Sequence, residues 1–373
     1  MTWCPLPFRH VFVEPRGVKP CCSYTQMYTG TIEAWLSSQE LNDLQRAMLD
    51  DQTPEGCRYC IEGEQRDGTS TRLSAIHDYG SMPDHQTQID YVDYRSNNIC
   101  NFRCRSCDPF YSNGIAQEAR RNPVLQQFYP IPQQKTAPTQ SQDKQWIIDN
   151  LDCIKRLMFT GGEPTRIPEV REIIDIIRKK DLKDISIMMT SNASFSDPYW
   201  FEITESMSNI HWTLSIDSVG SAAEIIRDGT VWSQVSATVE RMFDISPSVN
   251  IGTVVTNLNL TQLDLLFVWA NDLYHRYSHR PNGRTHFIEI CNWPRHLSPY
   301  NWPAERRDSV ITYLQTLVGQ SALQPKQQQV AESLLTNIRN TQPDPELWAQ
   351  FEAYNKTLDN IRNQDHTPLL DTH

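Results

Sequence analysis

A chain of 373 residues is too long for one small module and suits one large domain with one or two smaller ones. Hydrophobic residues at 39% and charged residues at 21% are ordinary for a globular protein, and a formal net charge of −11 disfavours non-specific binding to nucleic acid. No apolar run reaches the ~18 residues of a membrane span, and the opening "MTWCPLPFRH" lacks a secretory pattern. A cytoplasmic location with no membrane partner is therefore expected, and ten cysteines in such a chain point to metal or redox chemistry rather than to disulfides.

In chain order, residues 1–88 read as a small separate α+β module. "FRHVFVEPRGVKPCC" alternates around a turn near Pro15 to Gly17, which predicts a hairpin. "LSSQELNDLQRAMLDD" then predicts a helix with Leu41, Leu44, Met48 and Leu49 near one face, and a turn carrying C-x2-C follows.

Residues 89–300 alternate strand and helix. The predicted strands are "IDYVDYRS", "IKRLMFT", "ISIMMTS", "IHWTLSID", "VNIGTVVT" and "HFIEIC". The clearest helix is "PEVREIIDIIRKK". Pro168 suits its first turn, Glu169 the positive end of its dipole, and Val170, Ile173, Ile174 and Ile177 share a face. The basic run Arg178 to Lys180 reads as its solvated end. Strands alternating with helices predict an α/β fold with a parallel sheet, curled into a partial (β/α)6 barrel. The first crossover contains "YPIPQQKTAPTQSQD", an expected exposed loop. Residues 301–373 predict a helical extension packed on the barrel. Its last helix carries Leu347, Phe351, Tyr354, Leu358 and Ile361 at 3–4 residue steps.

Chemistry concentrates in "NNICNFRCRSCD". Cys100, Cys104 and Cys107 follow the first core strand with spacing C-x3-C-x2-C and no neighbouring fourth ligand. A structural zinc site wants four ligands, whereas three thiolates can hold a [4Fe–4S] cube by three of its irons and leave the fourth open. "FTGGEPTR" ends the second core strand. Gly161 and Gly162 permit close backbone approach to a ligand, and Glu163 can accept from an ammonium group. Both motifs fall at the C-terminal ends of strands, where a parallel barrel carries its site.

The cysteine loop followed by G-G-E-P resembles the radical S-adenosylmethionine (radical SAM) superfamily. "MTSNAS", "LSIDSVG" and "EIIRDGT" resemble the superfamily's third-strand, fourth-strand and following helix segments, so the resemblance spans residues 89 to about 293. It implies that Cys100, Cys104 and Cys107 ligate the cube while SAM chelates the open iron. It further implies that Gly161, Gly162 and Glu163 receive the amino end of SAM, and that Ser191, Asn192, Ser215 and Asp217 contact its methionyl or ribose portions. Arg227 is implied to pair with the SAM carboxylate, which a guanidinium fork suits. An electron from the cluster would then cleave SAM to a 5′-deoxyadenosyl radical that abstracts a hydrogen from substrate. A reducing partner such as flavodoxin or ferredoxin is implied as well. The sequence departs from the pattern at Ser106, where many members carry an aromatic residue.

The N-terminal set is Cys4, Cys21, Cys22, Cys57 and Cys60. Hairpin, helix and C-x2-C in that order resemble a twitch module, a shortened SPASM domain holding one auxiliary [4Fe–4S] cluster, here ahead of the barrel. The implied ligands are Cys4, Cys22, Cys57 and Cys60, with Cys21 as the alternative to Cys22, because adjacent side chains diverge in extended chain. Structural zinc is the rival for these thiols. Cys153 is expected to be a core thiol, and Cys291, at the end of the last core strand, a core or wall residue. The leading reading is thus an enzyme, oxidoreductase or transferase in class, acting on an unidentified peptide, protein or small molecule. The alternative is a non-catalytic iron–sulfur or zinc binding protein. A methyltransferase of the ordinary SAM-using kind is set aside, because the cysteines occupy the place of its Gly-rich loop.

Overall fold

A computed structural model describes residues 3–68, 70–80, 87–129, 140–279 and 285–372. Most of the expected first-crossover loop lies outside these residues. The strands, in chain order, are β1 (His10–Glu14), β2 (Gly17–Lys19), β3 (Tyr91–Tyr94), β4 (Arg103–Cys104), β5 (Arg156–Phe159), β6 (Ser186–Ser191), β7 (Ile210–Ser215), β8 (Arg227–Asp228), β9 (Val249–Val255) and β10 (His286–Ile290). The chain divides into two compact units, Met1–Asn98 with Pro132–Met189, and Ile99–Ile131 with Thr190–His373.

In the first unit the strands run in the order β2-β1-β3-β5-β6. β1, β3, β5 and β6 are parallel, with His10 opposite Tyr91, Tyr94 opposite Phe159 and Met158 opposite Met188. β2 closes the edge antiparallel to β1 in the expected hairpin, with Phe12 opposite Lys19. All five residues of β1 are buried. That suits a strand covered on both faces. The helix Pro168–Lys179 has proline in its first turn, Glu169 beside it and Arg178 and Lys179 in its last turn, and it buries Val170, Ile173, Ile174 and Ile177. Burying those four side chains contributes on the order of 8 kcal/mol before the entropic cost of ordering them.

The helix Gln39–Leu49 starts at Ser38, whose side chain accepts from the Leu41 amide, and buries Leu41, Leu44 and Met48. Leu49 is exposed instead. It follows Met48 by one residue, about 100° around the helix, and so leaves the stripe. Trp3, Cys4, Leu6, Phe8, Cys21, Leu44, Met48 and Ala75 form a small apolar cluster of their own in this N-terminal segment.

The second unit holds the parallel strands β7-β9-β10, with Leu214 opposite Ile251 and Ile288 opposite Thr253. β7 and β9 alternate buried and half-buried positions, the period-2 signature of a strand. The helices Trp232–Ile245 and Leu263–Arg276 bury apolar faces built around Phe243 and Phe267. The helices Ala304–Val318, Pro325–Asn340 and Pro345–Arg362 form the extension. The last of them buries Trp348, Phe351, Tyr354, Asn355 and Leu358. Its buried stripe therefore lies one residue on from the expected Leu347 and takes in a polar Asn355. The fold class is α/β with a mostly parallel sheet, as the alternation of strands and helices predicts.

Candidate active site

In the second unit the cysteine loop is fastened to two other motif segments. β4 pairs antiparallel with β8, so Cys104 lies opposite Arg227 and Arg103 opposite Asp228. The loop approaches closely here. Gly229 sits at φ +103°, and a Cβ on it would lie 2.8 Å from the Asn101 carbonyl oxygen and 3.0 Å from the Phe102 ring. Glycine alone meets both demands at this point. On the loop's other flank, Asn192 Nδ2 donates to Asn101 Oδ1 (3.1 Å), Asn101 Nδ2 donates to Ser194 Oγ (2.9 Å), and Ser194 Oγ donates to Asn192 Oδ1 (2.6 Å). Ser191 Oγ accepts from the Ala193 amide at 3.1 Å, inside the same turn.

Asp217 and Arg227 form a buried ion pair, Arg227 Nη1 to Asp217 Oδ2 at 2.8 Å. The other carboxylate oxygen accepts from the Val254 amide at 2.9 Å. Burial alone would lower the Arg227 pKa, but the neighbouring Cys104 sulfur and Asp217 outweigh it and hold the guanidinium charged. The same guanidinium opposes the effect of burial on Cys104, whose thiol is still held above its ordinary range. Ser215 ends β7 half-buried, two residues before Asp217. Cys104 is buried, and Cys100 and Cys107 are half-buried. The Phe102 amide donates to Cys100 Sγ at 3.4 Å. Burial and the neighbouring thiols push the Cys107 thiol well up. Ser106 is half-buried, while Phe102 is buried against Gly229.

In the first unit, Gly161 and Gly162 adopt φ +69° and +49°. The Arg95 side chain packs over Gly161, 3.0 Å from where a Cβ would stand. Glu163 is buried and caps the short turn Pro164–Arg166, its Oε1 accepting from the Thr165 amide (3.2 Å) and hydroxyl (2.6 Å). Asp93 accepts from Arg95 Nη2 (3.2 Å) and Thr160 Oγ1 (3.2 Å), a buried network that no sequence motif announced.

Four of the N-terminal thiols meet in one cavity, lined by Cys4, Cys21, Cys57 and Cys60 together with Arg72 and Tyr24. Cys22 is not on its wall. It is exposed, 3.8 Å from the hydroxyl of Ser23. Of the two adjacent cysteines, Cys21 is thus the one turned inward. Burial pushes Cys4 up to about 12 and Cys57 up to about 11, with neighbouring thiols adding to both. Arg72, which sequence reading missed, donates from Nε to Glu64 Oε1 at 2.9 Å and from Nη1 to the Trp3 carbonyl at 3.1 Å. Glu64 lies four residues after Cys60 on one helix, a spacing that offered the available signal.

The donor chemistry fits iron–sulfur clusters at both places. A single zinc ion bound by thiolates at 2.3 Å requires sulfurs about 3.8 Å apart. Among the described residues, Asp359, Asp365 and His366 are the group of three whose ligand atoms all lie within 4.8 Å of one another, and no such trio of cysteines occurs. Cys291 is buried and its thiol donates to the Trp293 carbonyl (3.4 Å), as suits a wall residue. Cys153 is exposed, contrary to expectation. It sits in a turn where Leu151 and Ile154 take the inward positions.

Residues 94–268 match the family model described as the Radical SAM superfamily. Among solved structures, anSMEcpe with bound AdoMet is similar at 16% identity and a TM-score of 0.39, over 60% of this chain and 57% of that one. Streptococcus suis SuiB bound to S-adenosylmethionine is similar at 12% identity and a TM-score of 0.40, over 75% of this chain and 57% of that one. TYW1 with a lysine-pyruvate adduct bound is similar at 14% identity and a TM-score of 0.33, over 75% of this chain and 89% of that one. The matched part spans 57% of the length of the first two, and scores of this size describe partial likeness of chain path. No curated relative matches the chain. No helix among the described residues is long and apolar enough to cross a membrane.

Proposed function

We propose that this chain is a radical SAM enzyme that reductively cleaves SAM and abstracts a hydrogen from a peptide, protein or small-molecule substrate. The observation that carries the reading is the convergence, in the second unit, of the cysteine loop with Arg227 and Asp217. Cys100, Cys104 and Cys107 would hold a [4Fe–4S] cluster, which when bound supplies the electron for SAM cleavage. Arg227 is assigned the SAM carboxylate, and Asp217 orients it through the 2.8 Å ion pair. Ser191, Asn192 and Ser215 are assigned the methionyl and ribose portions. Gly161, Gly162 and Glu163 keep the role in amino-group binding that the resemblance implies. Flavodoxin or ferredoxin is the class of reductant proposed.

Residues 1–88 are proposed as a twitch-like module, ahead of a barrel core (89–300) and a helical extension (301–373). Its ligands to an auxiliary [4Fe–4S] cluster would be Cys4, Cys21, Cys57 and Cys60. Cys21 replaces Cys22 in this assignment because it lines the shared cavity. Four thiolates would leave that cluster without an open iron, suited to electron relay or to holding structure. Anaerobic reconstitution tests both assignments. The expected result is about eight irons per chain, four for each cluster, with dithionite-dependent formation of 5′-deoxyadenosine. Zinc retention with no SAM cleavage would defeat the enzyme reading and favour a metal-binding protein without catalysis.

A further inference from the structure

Between Cys104 and Cys107 lies Arg105, a charged side chain within the cysteine loop. Arg105 is fully buried, with a relative exposure of 0%. A buried guanidinium is costly unless all five of its N–H groups find acceptors, and here each has one. Nε donates to the Ile225 carbonyl (3.1 Å). Nη1 donates to the Asn355 carbonyl (3.3 Å) and side-chain oxygen (3.0 Å). Nη2 donates to Asp359 Oδ1 (2.5 Å) and Gln364 Oε1 (2.9 Å). The backbone of Arg105 is held as firmly. Its amide donates to the Ile226 carbonyl (2.8 Å), and its carbonyl accepts from the Tyr354 hydroxyl (2.7 Å).

Four of these partners, Tyr354, Asn355, Asp359 and Gln364, belong to the last helix or its C-terminal end, about 250 residues away in sequence. Asp359 is itself oriented, because its second oxygen accepts from the His366 amide (3.1 Å) and lies 2.6 Å from His366 Nδ1. The helix grips the loop on the other side of Cys104 too. Arg362 donates to both oxygens of Glu118, and Arg103 donates to the same carboxylate at 3.0 Å. Residues 103 and 105 flank a cluster cysteine, and both are tied to the final helix. Packing alone asks for an apolar stripe, and a stripe would not need this set of directed hydrogen bonds.

We propose that Arg105 is a positioning residue for the iron–sulfur loop, and that the final helix is through it a working part of the SAM-cleaving site. This rests on the reading of Cys100, Cys104 and Cys107 as cluster ligands. A cluster held by only three cysteines has one iron secured by no protein group, so the spacing of Cys104 and Cys107 governs how well SAM chelates that iron. Arg105 keyed into Asn355 and Asp359 keeps that spacing from relaxing.

The test uses the full chain, reconstituted anaerobically, as Arg105→Lys, Asp359→Asn and Tyr354→Phe. Lysine keeps the charge but cannot reach five acceptors, and Asp359→Asn keeps the shape while removing the ion pair. The decisive readout is the change that SAM induces in the EPR spectrum of the reduced protein, since SAM perturbs only a cluster with an open iron. For Arg105→Lys and Asp359→Asn we expect that change to be lost or strongly reduced. We also expect the barrel cluster to shed its fourth iron more readily and 5′-deoxyadenosine formation to fall about tenfold or more. Tyr354→Phe should fall by about threefold. Wild-type EPR response and cluster potential in both Arg105→Lys and Asp359→Asn overturn the proposal. If Arg105→Lys does not fold, Asp359→Asn decides alone. The reading underneath fails differently: then the wild-type chain itself shows no SAM-dependent EPR change, and Cys104→Ala leaves its properties unaltered.

Discussion

The two thiol sites of this protein are built in opposite ways. At the loop, three cysteines come from eight consecutive residues, and the site depends on charged groups brought to it, Arg227 opposite Cys104 and Asp217 behind Arg227. In the N-terminal cavity, four cysteines come from separated segments and close around a space, with Arg72 in its wall. The difference teaches what each site can do. A short loop with three ligands leaves a coordination position for a co-substrate and needs outside support to stay in shape. On the proposed assignment, four thiolates from separated segments would enclose a cluster, which would in turn tie those segments together.

The largest effect that would break this comparison is at the loop. Cys104→Ala should reduce 5′-deoxyadenosine formation to background, because two cysteines cannot hold the cube. Cleavage at the normal rate would sink the assignment of the motif. Replacing Cys57 and Cys60 together should remove about four irons per chain and abolish substrate turnover, yet leave SAM cleavage partly intact. Unchanged iron content would show that the N-terminal cavity holds no cluster. Within that site, Cys21→Ser should lose iron and Cys22→Ser should keep it, and the reverse result would reassign the fourth ligand.

A smaller effect is expected at the ion pair. Arg227→Lys replaces a fork by a point charge, which should raise the KM for SAM roughly tenfold with a lesser change in kcat. An unchanged KM would remove Arg227 from SAM binding.

The smallest effect contrasts the pH response of the two units in the metal-free chain. Asp143, whose Oδ1 accepts from the Ile32 amide, is raised from 3.8 to about 6, chiefly by burial. Its contribution to stability is full below 3.8 and is lost as pH rises through about 6. His286, buried beside Thr253 and Gln327, is lowered by burial from 6.5 to about 4. Its contribution is full above 6.5 and is lost as pH falls through about 4. Each is on the order of 2 kcal/mol. Hydrogen exchange between pH 4.5 and 6.5, corrected for the intrinsic rate, should show opposite slopes around the two residues, abolished by Asp143→Asn and His286→Gln respectively. Equal slopes would mean that neither group is buried as described.

Much of this is legible in the sequence. The six core strands and the helix Pro168–Lys179 follow from periodicity and end signals, which are local properties of the chain. So does the hairpin between β1 and β2, although its addition to β3 does not, because strand pairing is decided at long range. The choice between Cys21 and Cys22 stayed open for a similar reason. Neighbouring residues share a local sequence, and only the way the segment packs against Cys4 and Cys60 turns one inward. Cys153 misled because a cysteine beside a strand resembles a core residue, while the turn it occupies gives the inward positions to Leu151 and Ile154.

By itself, the sequence determined the α/β class, the C-x3-C-x2-C and G-G-E-P motifs and the radical SAM resemblance, because period and spacing are written along the chain. Tertiary structure alone decided that Arg227 meets Cys104 across a two-residue ribbon, that Asp217 holds Arg227, and that Arg105 docks into Asn355 and Asp359. The physical reason is the same in each case. A buried charge must find its partner wherever the folded chain supplies one, and for Arg105 that partner lies some 250 residues further along.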